Sequence, residues 1–188
     1  MTGALAGTDG IRRCPWGNST EDLARYHDTE WGRQVRTDQG LYERMVLEAF
    51  QSGLSWLTIL RKRDAFRRAF DGFRIDRVAD YDETDVDRLL ADTGIVRNRA
   101  KVLAAIRNAR AIADLDTGLG ELLWSYAPAP RPAPRTEADV PATTPESTAM
   151  ARELKRRGFR FIGPTTAYAL MQATGMVNDH LADCHARG

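Results

Sequence analysis

Apolar side chains recur along most of the chain at intervals of three and four, the period of a helix with one buried face. Residues 38–51 carry it over fourteen positions, with Asp38 as the expected N-cap and Gly53 as the stop. A second helical stretch is predicted at 55–70, where Trp56, Ile59, Leu60, Phe66 and Phe70 share a face. A short helix at 84–91 should end before Asp92-Thr93-Gly94, and a longer one over 98–113 sets Val102, Leu103, Ile106, Ala109 and Ile112 in one stripe. Residues 127–145 break the pattern, because the run of prolines removes amide donors and fixes φ. The period resumes after Thr144, with Pro145 suited to a first turn, and Gly158 stops it. Phe159-Arg160-Phe161-Ile162-Gly163 reads as a buried turn before a last helix at 164–174. No segment alternates convincingly as a strand, so the expected class is all-α.

A length of 188 residues suits one domain. Residues 1–10 read as a flexible leader. Residues 11–188 read as a single helical domain, two lobes sharing a core, with the proline-rich connection at 127–145 between them. A hydrophobic content of 43% supplies an ordinary core and excludes a largely disordered chain. No apolar run approaches the roughly 18 residues of a membrane span, and the start lacks the basic and apolar regions of a secretion signal. The expectation is a cytoplasmic, monomeric protein without a membrane partner. The formal net charge of +1 gives no bulk sign of a polyanion partner, but the charges are segregated. Residues 76–92 are acidic, while Arg61–Arg68, Arg97–Arg110 and Arg152–Arg160 are basic. Such runs are either solvated helix faces or, taken together, one side of a nucleic-acid surface.

The stretch Leu89-Leu90-Ala91-Asp92-Thr93-Gly94-Ile95-Val96-Arg97-Asn98-Arg99-Ala100-Lys101 stops one helix and starts another within a few residues. Gly94 is free to adopt φ > 0, and amides at a helix start attract phosphate. Arg97, Arg99 and Lys101 add positive charge. The stretch is either an ordinary corner or a helix-hairpin-helix that grips the DNA backbone without reading bases.

The two cysteines and three histidines of the chain lie near its ends. Twelve residues separate Cys14 from His27, and His180 and Cys184 are one helical turn apart. Two sulfurs and two imidazoles suit a tetrahedral zinc ion. A Cys14–Cys184 disulfide and two unrelated thiols are the competing readings. Four protein ligands leave no open position, so such a metal would be structural and would tie the termini together.

Aromatic residues surround the first two of these ligands: Trp16 follows Cys14, and Tyr26 and Trp31 flank His27. Farther on, Glu48 and Trp56 bracket the bend Gln51-Ser52-Gly53. Glu48 falls at the edge of the apolar face of its helix, where a half-buried carboxylate needs a partner. The arrangement suits a cleft for a flat, polar ligand, although core tryptophans and a solvated glutamate would give the same spacing.

Cys-Pro-Trp-Gly at 14–17, Tyr-His-Asp-Thr-Glu-Trp-Gly at 26–32, Gln-Ser-Gly-Leu-Ser-Trp at 51–56 following Leu47-Glu48, Lys-Arg-Arg-Gly-Phe-Arg-Phe-Ile-Gly-Pro-Thr-Thr at 155–166 and Gly-Met-Val-Asn-Asp-His at 175–180 closely resemble, in this order, the DNA-3-methyladenine glycosylase I family. The resemblance runs from Cys14 to Cys184. It implies the all-helical fold of the helix-hairpin-helix glycosylases, with Cys14, His27, His180 and Cys184 holding one structural Zn2+ per chain. It implies hydrolysis of the N-glycosidic bond of 3-methyladenine in double-stranded DNA. Glu48 would read the base, Tyr26 would lie beside it, Trp56 would stack on it, and Trp16 and Trp31 would line the pocket. Relatives that also nick DNA carry a lysine nucleophile where Asn98 stands, which implies no lyase step here. Ala49-Phe50 departs from the smaller residues usual after the glutamate. The rival readings are a DNA-binding module without a pocket and a zinc hydrolase of unrelated substrate.

Overall fold

A computed structural model describes residues 3–187. Nine α-helices account for nearly all of its regular structure: α1 Glu21–Thr29, α2 Asp38–Gln51, α3 Trp56–Ala69, α4 Ile75–Ala79, α5 Glu83–Ala91, α6 Arg99–Ala113, α7 Leu119–Trp124, α8 Pro145–Arg156 and α9 Pro164–Ala173. The helix starts follow local chemistry. Thr20, Thr37, Ser55, Asp82, Asn98 and Thr144 each accept a backbone amide of the following first turn. Asp38 is therefore the first residue of α2 and not its cap. Beyond the end of α2, Gly53 takes φ 82, and after α8 Gly158 takes φ 92; a side chain is disfavoured at both.

The core gathers the apolar faces of these helices into one cluster. Leu41, Met45 and Phe50 of α2 lie at its centre with Ile59 and Phe66 of α3 and Val102, Ile106 and Ala109 of α6. An aromatic seam runs through it: Phe50 and Phe66 meet edge to face at 4.8 Å, and Phe70 stacks on Phe73 at 5.6 Å. The Tyr42 hydroxyl donates to Ala105 O at 2.8 Å, which fixes α2 against α6. The stripe read for 98–113 differs at one position, since Leu103 is exposed. In the turn at 159–163, Phe159 and Ile162 are buried but Phe161 is exposed, with φ 60.

The two ends of the chain meet away from this core. Ala4, Cys14, Leu181 and Cys184 form a second, small cluster. Of the leader read at 1–10, the described part is ordered: Leu5–Ala6 pairs antiparallel with Arg12–Arg13. Ala4 N donates to Asp183 Oδ1 at 2.9 Å, so this hairpin is pinned to the tail. The proline-rich segment reaches the same place, where Ala182 N donates to Pro134 O at 2.8 Å, and the connection read at 127–145 is interrupted by a 3-10 turn at Glu137–Asp139. No described helix is long and apolar enough to cross a membrane.

Candidate active site

Four parts of the chain converge on one cleft. Helix α1 brings Tyr26, the end of α2 brings Glu48 and Gln51, the start of α3 brings Ser55 and Trp56, and α9 brings Gln172. Trp16 and Trp31 close one side and Asp179 another, around a cavity of about 490 Å³. That size lies within the roughly 300–1,000 Å³ common for small-ligand sites. The aromatic rings form its walls. Tyr26 lies 5.3 Å from Trp56, Trp16 lies 6.3 Å from Tyr26, and Trp16 meets Trp31 edge-on at 5.1 Å.

Two polar groups in this apolar setting lack protein partners among the described residues. The Trp56 indole Nε1 is buried without an acceptor. Glu48 is only 7% exposed and receives no hydrogen bond from the protein. Burial pushes its carboxyl up to about 8, with Arg44 pulling weakly the other way. Arg44 is engaged elsewhere, donating to Glu30 Oε2 at 2.9 Å, and Arg63 grips the same carboxylate at 2.6 and 2.9 Å. Burial would raise Glu30, but Arg63 and Arg44 outweigh it and hold Glu30 below its usual value. Burial, followed by the charge of Glu48, raises the Tyr26 phenol, so it stays a neutral donor. A native structure rarely leaves buried polar atoms unsatisfied without a reason.

Next to the cleft, Cys14, His27, His180 and Cys184 are all buried, and their ligand atoms lie within 4.8 Å of one another. Both cysteines are free, so the disulfide reading does not hold. Cys184 Sγ is 3.4 Å from His27 Nε2 and 3.8 Å from His180 Nδ1, and Cys14 Sγ is 3.9 Å from His180 Nδ1. Ligands around a tetrahedral zinc, at about 2.3 Å for sulfur and 2.0 Å for nitrogen, would stand roughly 3.6 Å apart. The donor set therefore fits such an ion. Its surroundings orient it as well. His27 Nδ1 pairs with Asp28 Oδ1 at 2.8 Å and His180 Nε2 with Trp31 O at 3.1 Å, leaving the other ring nitrogen of each facing the sulfurs. Arg13, itself buried, holds Asp28 with contacts at 2.7–3.0 Å. Burial opposes ionisation of Asp28, yet Arg13, His27 and His185 keep it well below the usual carboxylate range. Burial also pushes His180 down to about 4, which keeps its imidazole neutral. The cluster abuts the cleft, for Trp16 packs on His27 at 5.1 Å and Trp31 on His180 at 4.7 Å.

The residues expected on the DNA backbone are arranged differently. Helices α5 and α6 do form a corner, but Gly94 is not among the residues with positive φ. Gly94 N is taken by Asp92 Oδ1 at 2.7 Å, and Asn98 Oδ1 caps the Lys101 amide at 3.1 Å. These amides are satisfied internally. Arg99 pairs with Glu83 of the acidic stretch. Lys101 is buried, with its ammonium bonded to Phe50 O and Ser52 O. That leaves Arg97 as an exposed cation without an ion pair among the described residues. By contrast, Gly163 precedes α9 with no side-chain cap and Pro164 opens the helix, so its first amides are uncovered beside the exposed Phe161.

Sequence reasoning missed Asp179 and Gln172. Asp179 is 3% exposed, receives Gln172 Nε2 at 3.0 Å and Arg131 at 3.1 Å, and is also bonded to the Tyr168 hydroxyl. It stands in the Asn-Asp-His run quoted above. The only signal of its burial was its place beside His180.

A methyladenine glycosylase family model matches residues 16–187. The chain belongs to the methyladenine glycosylase family. A Haemophilus influenzae DNA-3-methyladenine glycosylase is 39% identical over 178 residues, which covers 92% of this chain and 96% of that protein. The crystal structure of a 3-methyladenine DNA glycosylase I superposes with a TM-score of 0.88 at 40% identity, over 92% of this chain and 98% of that one. The Staphylococcus aureus 3-methyladenine DNA glycosylase I, whose structure concerns recognition of 3-methyladenine, gives 0.89 at 31% identity, over 94% and 96%. The all-helical class read from the sequence is thus the class of the family.

Proposed function

We propose that this chain is a monofunctional DNA repair glycosylase that hydrolyses the N-glycosidic bond of 3-methyladenine in alkylated double-stranded DNA, in the cytoplasm. One observation carries the reading: a buried carboxyl, Glu48, shares an aromatic cleft with the Trp56 indole N–H, neither with a hydrogen-bond partner among the described residues, in a member of this family.

The lesion must first leave the stack, because its reacting bond is out of reach in a duplex. Methylation at N3 makes the adenine cationic, so its bond to the sugar is weakened before the enzyme acts. Burial sets the Glu48 carboxyl at about 8, so it is largely protonated near neutral pH. A cationic purine favours the carboxylate instead; the carboxyl releases its proton to solvent, and a pair of opposite charges forms in an apolar cleft. Trp56 adds attraction of its face for a cation, worth about 0.5–2 kcal/mol. Tyr26, neutral at working pH, supplies a hydrogen bond. Unmethylated adenine gains neither charge-dependent interaction and is discriminated against. Water then takes the sugar carbon, the base leaves with the bonding electrons, and an abasic site remains. Asn98 offers no amine for a Schiff base, and its side chain is committed to capping α6.

Cys14, His27, His180 and Cys184 would hold one zinc ion. Bound there, the metal supplies a cross-link between the termini and no open position for substrate. For the DNA backbone we assign Arg97 and the uncapped start of α9, with Gly94 and Arg99 shaping the corner and Lys101 excluded by its burial. The test is incubation of the purified chain with methylated duplex and chromatography of the released material. Free 3-methyladenine with an intact, alkali-labile strand is expected. A lack of released base contradicts the activity, and strand cleavage without alkali contradicts the monofunctional assignment.

A further inference from the structure

Lys101 occupies a position that composition and period assign to the surface, the first turn of α6, yet it is 7% exposed. Its Nζ donates to Phe50 O at 2.9 Å and to Ser52 O at 2.6 Å, and no carboxylate among the described residues pairs with it. Burial alone lowers its ammonium below the usual lysine value. A buried cation without a counter-ion costs stability, and near a helix N-terminus the α6 dipole adds to that cost. What offsets both is the far end of α2, where the last carbonyls carry negative charge and need donors.

Those carbonyls lie at a decisive place. Glu48 occupies the last turn of α2 and Trp56 the first position of α3. The link between them is four exposed residues, Ser52-Gly53-Leu54-Ser55, with Gly53 at φ 82. Leu54 N closes the bend on Gln51 O at 2.7 Å. Lys101 takes the carbonyls on either side, so three successive carbonyls, Phe50 to Ser52, are fixed. Nothing in the bend itself is buried deeply enough to hold it. A second lysine makes the same kind of contact elsewhere: Lys62 Nζ donates to Thr93 O at 3.2 Å and Gly94 O at 3.1 Å, away from the cleft.

We infer that Lys101 is a positioning residue for base recognition, an ammonium inserted from α6 that sets the bend after α2 and thereby the spacing of Glu48 and Trp56 across the slot. This rests on the proposed base-binding role of those two residues. A displacement of about 1 Å between groups that must meet a ligand together costs on the order of a hundredfold in rate.

The experiment compares Lys101→Met with Lys62→Met and the wild type, each well below its melting temperature as judged by circular dichroism. The readouts are quenching of tryptophan fluorescence by free 3-methyladenine and release of that base from methylated duplex. In K101M, both affinity and release should fall by about tenfold or more, while K62M stays within about twofold of wild type. A lysine that only adds stability would lower the melting temperature and leave the affinity of the folded protein unchanged, and that result overturns the inference. An equal loss in K62M overturns it too, because generic loosening would then suffice. If K101M does not fold, Lys101→Gln retains a donor for one carbonyl and should lose affinity to a lesser degree; wild-type affinity in folded K101Q refutes the role. Failure of the wild type to bind the base would refute the base-slot reading itself, a separate outcome.

Discussion

At the scale of single residues, the site is defined by groups held in costly states. Glu48 is the clearest. Its carboxyl has a value of about 8 in the fold against 4.5 unperturbed. A raised carboxyl contributes stability that is fully present below about pH 4.5 and is lost as pH rises through about 8, because the unfolded chain ionises first. Glu48→Gln removes this penalty. Urea unfolding should therefore show the variant gaining on the wild type between pH 5 and pH 9, by an amount on the order of 4 kcal/mol at the alkaline end. Equal pH dependence of the two proteins would mean that the carboxyl is solvated. A side chain that destabilises the empty protein while serving its ligand is the mark of a binding residue. Spacing left Glu48 open to a solvated reading and the cysteines open to a disulfide; the family resemblance singled out Glu48 and the four cysteine and histidine residues, and the fold brings Glu48 into the cleft and the four together. Sequence reading misplaced Lys101, because a lysine that reaches inward to backbone carbonyls has the same local pattern as one in water.

At the scale of elements, helices announced themselves where caps and a long apolar stripe coincided. The stretch read at 84–91 is Glu83–Ala91, and that at 98–113 is Arg99–Ala113. Helix α1, the five-residue α4, the six-residue α7 and the two-residue strands were not legible, because each is too short or too polar to show a period and is held by tertiary contacts. Tryptophan 124 of α7, for example, is tied to Val35 O at 2.9 Å. The segment between α1 and α2 docks on the end of α9 through Gly32 N to Gln172 O and Val35 N to Thr174 O, both 3.1 Å. This docking places Trp31 in the cleft, and it depends on Gly175. That residue has φ 71, and a Cβ there would stand 2.7 Å from Arg33 C and Gly32 O. Gly175→Ala should cost about 3 kcal/mol from strain and overpacking and lower the melting temperature by roughly 10 °C. Weaker quenching by free base should accompany it, and an unshifted melt would show that the segment yields without cost.

At the scale of the whole molecule, the termini are held by a cluster beside the site and not by the main core. That the ends meet was legible, because candidate ligands sit at both. The strand Leu5–Ala6, which pairs with Arg12–Arg13, falls within the leader expected at 1–10, because two residues are too few to show a period. A zinc ion in the cluster would stabilise by mass action, about 4 kcal/mol at a concentration a thousandfold above its Kd. Removing it with a strong chelator should lower the melting temperature by roughly 10 °C, and elemental analysis should find one zinc per chain. Because Trp16 and Trp31 pack on His27 and His180, tryptophan emission should change with metal loss. Metal-free protein as isolated, melting unchanged with chelator, would contradict a structural zinc.

Pairing of a buried carboxyl with a cationic base is what would set the lesion apart from unmethylated adenine. The most direct test is single-turnover release of 3-methyladenine from methylated duplex by the wild type and by Glu48→Gln. A loss of roughly ten- to a hundredfold is expected in the variant, the worth of a hydrogen bond to a charged group, in a protein at least as stable as the wild type at neutral pH. Release at the wild-type rate by the glutamine variant would contradict it.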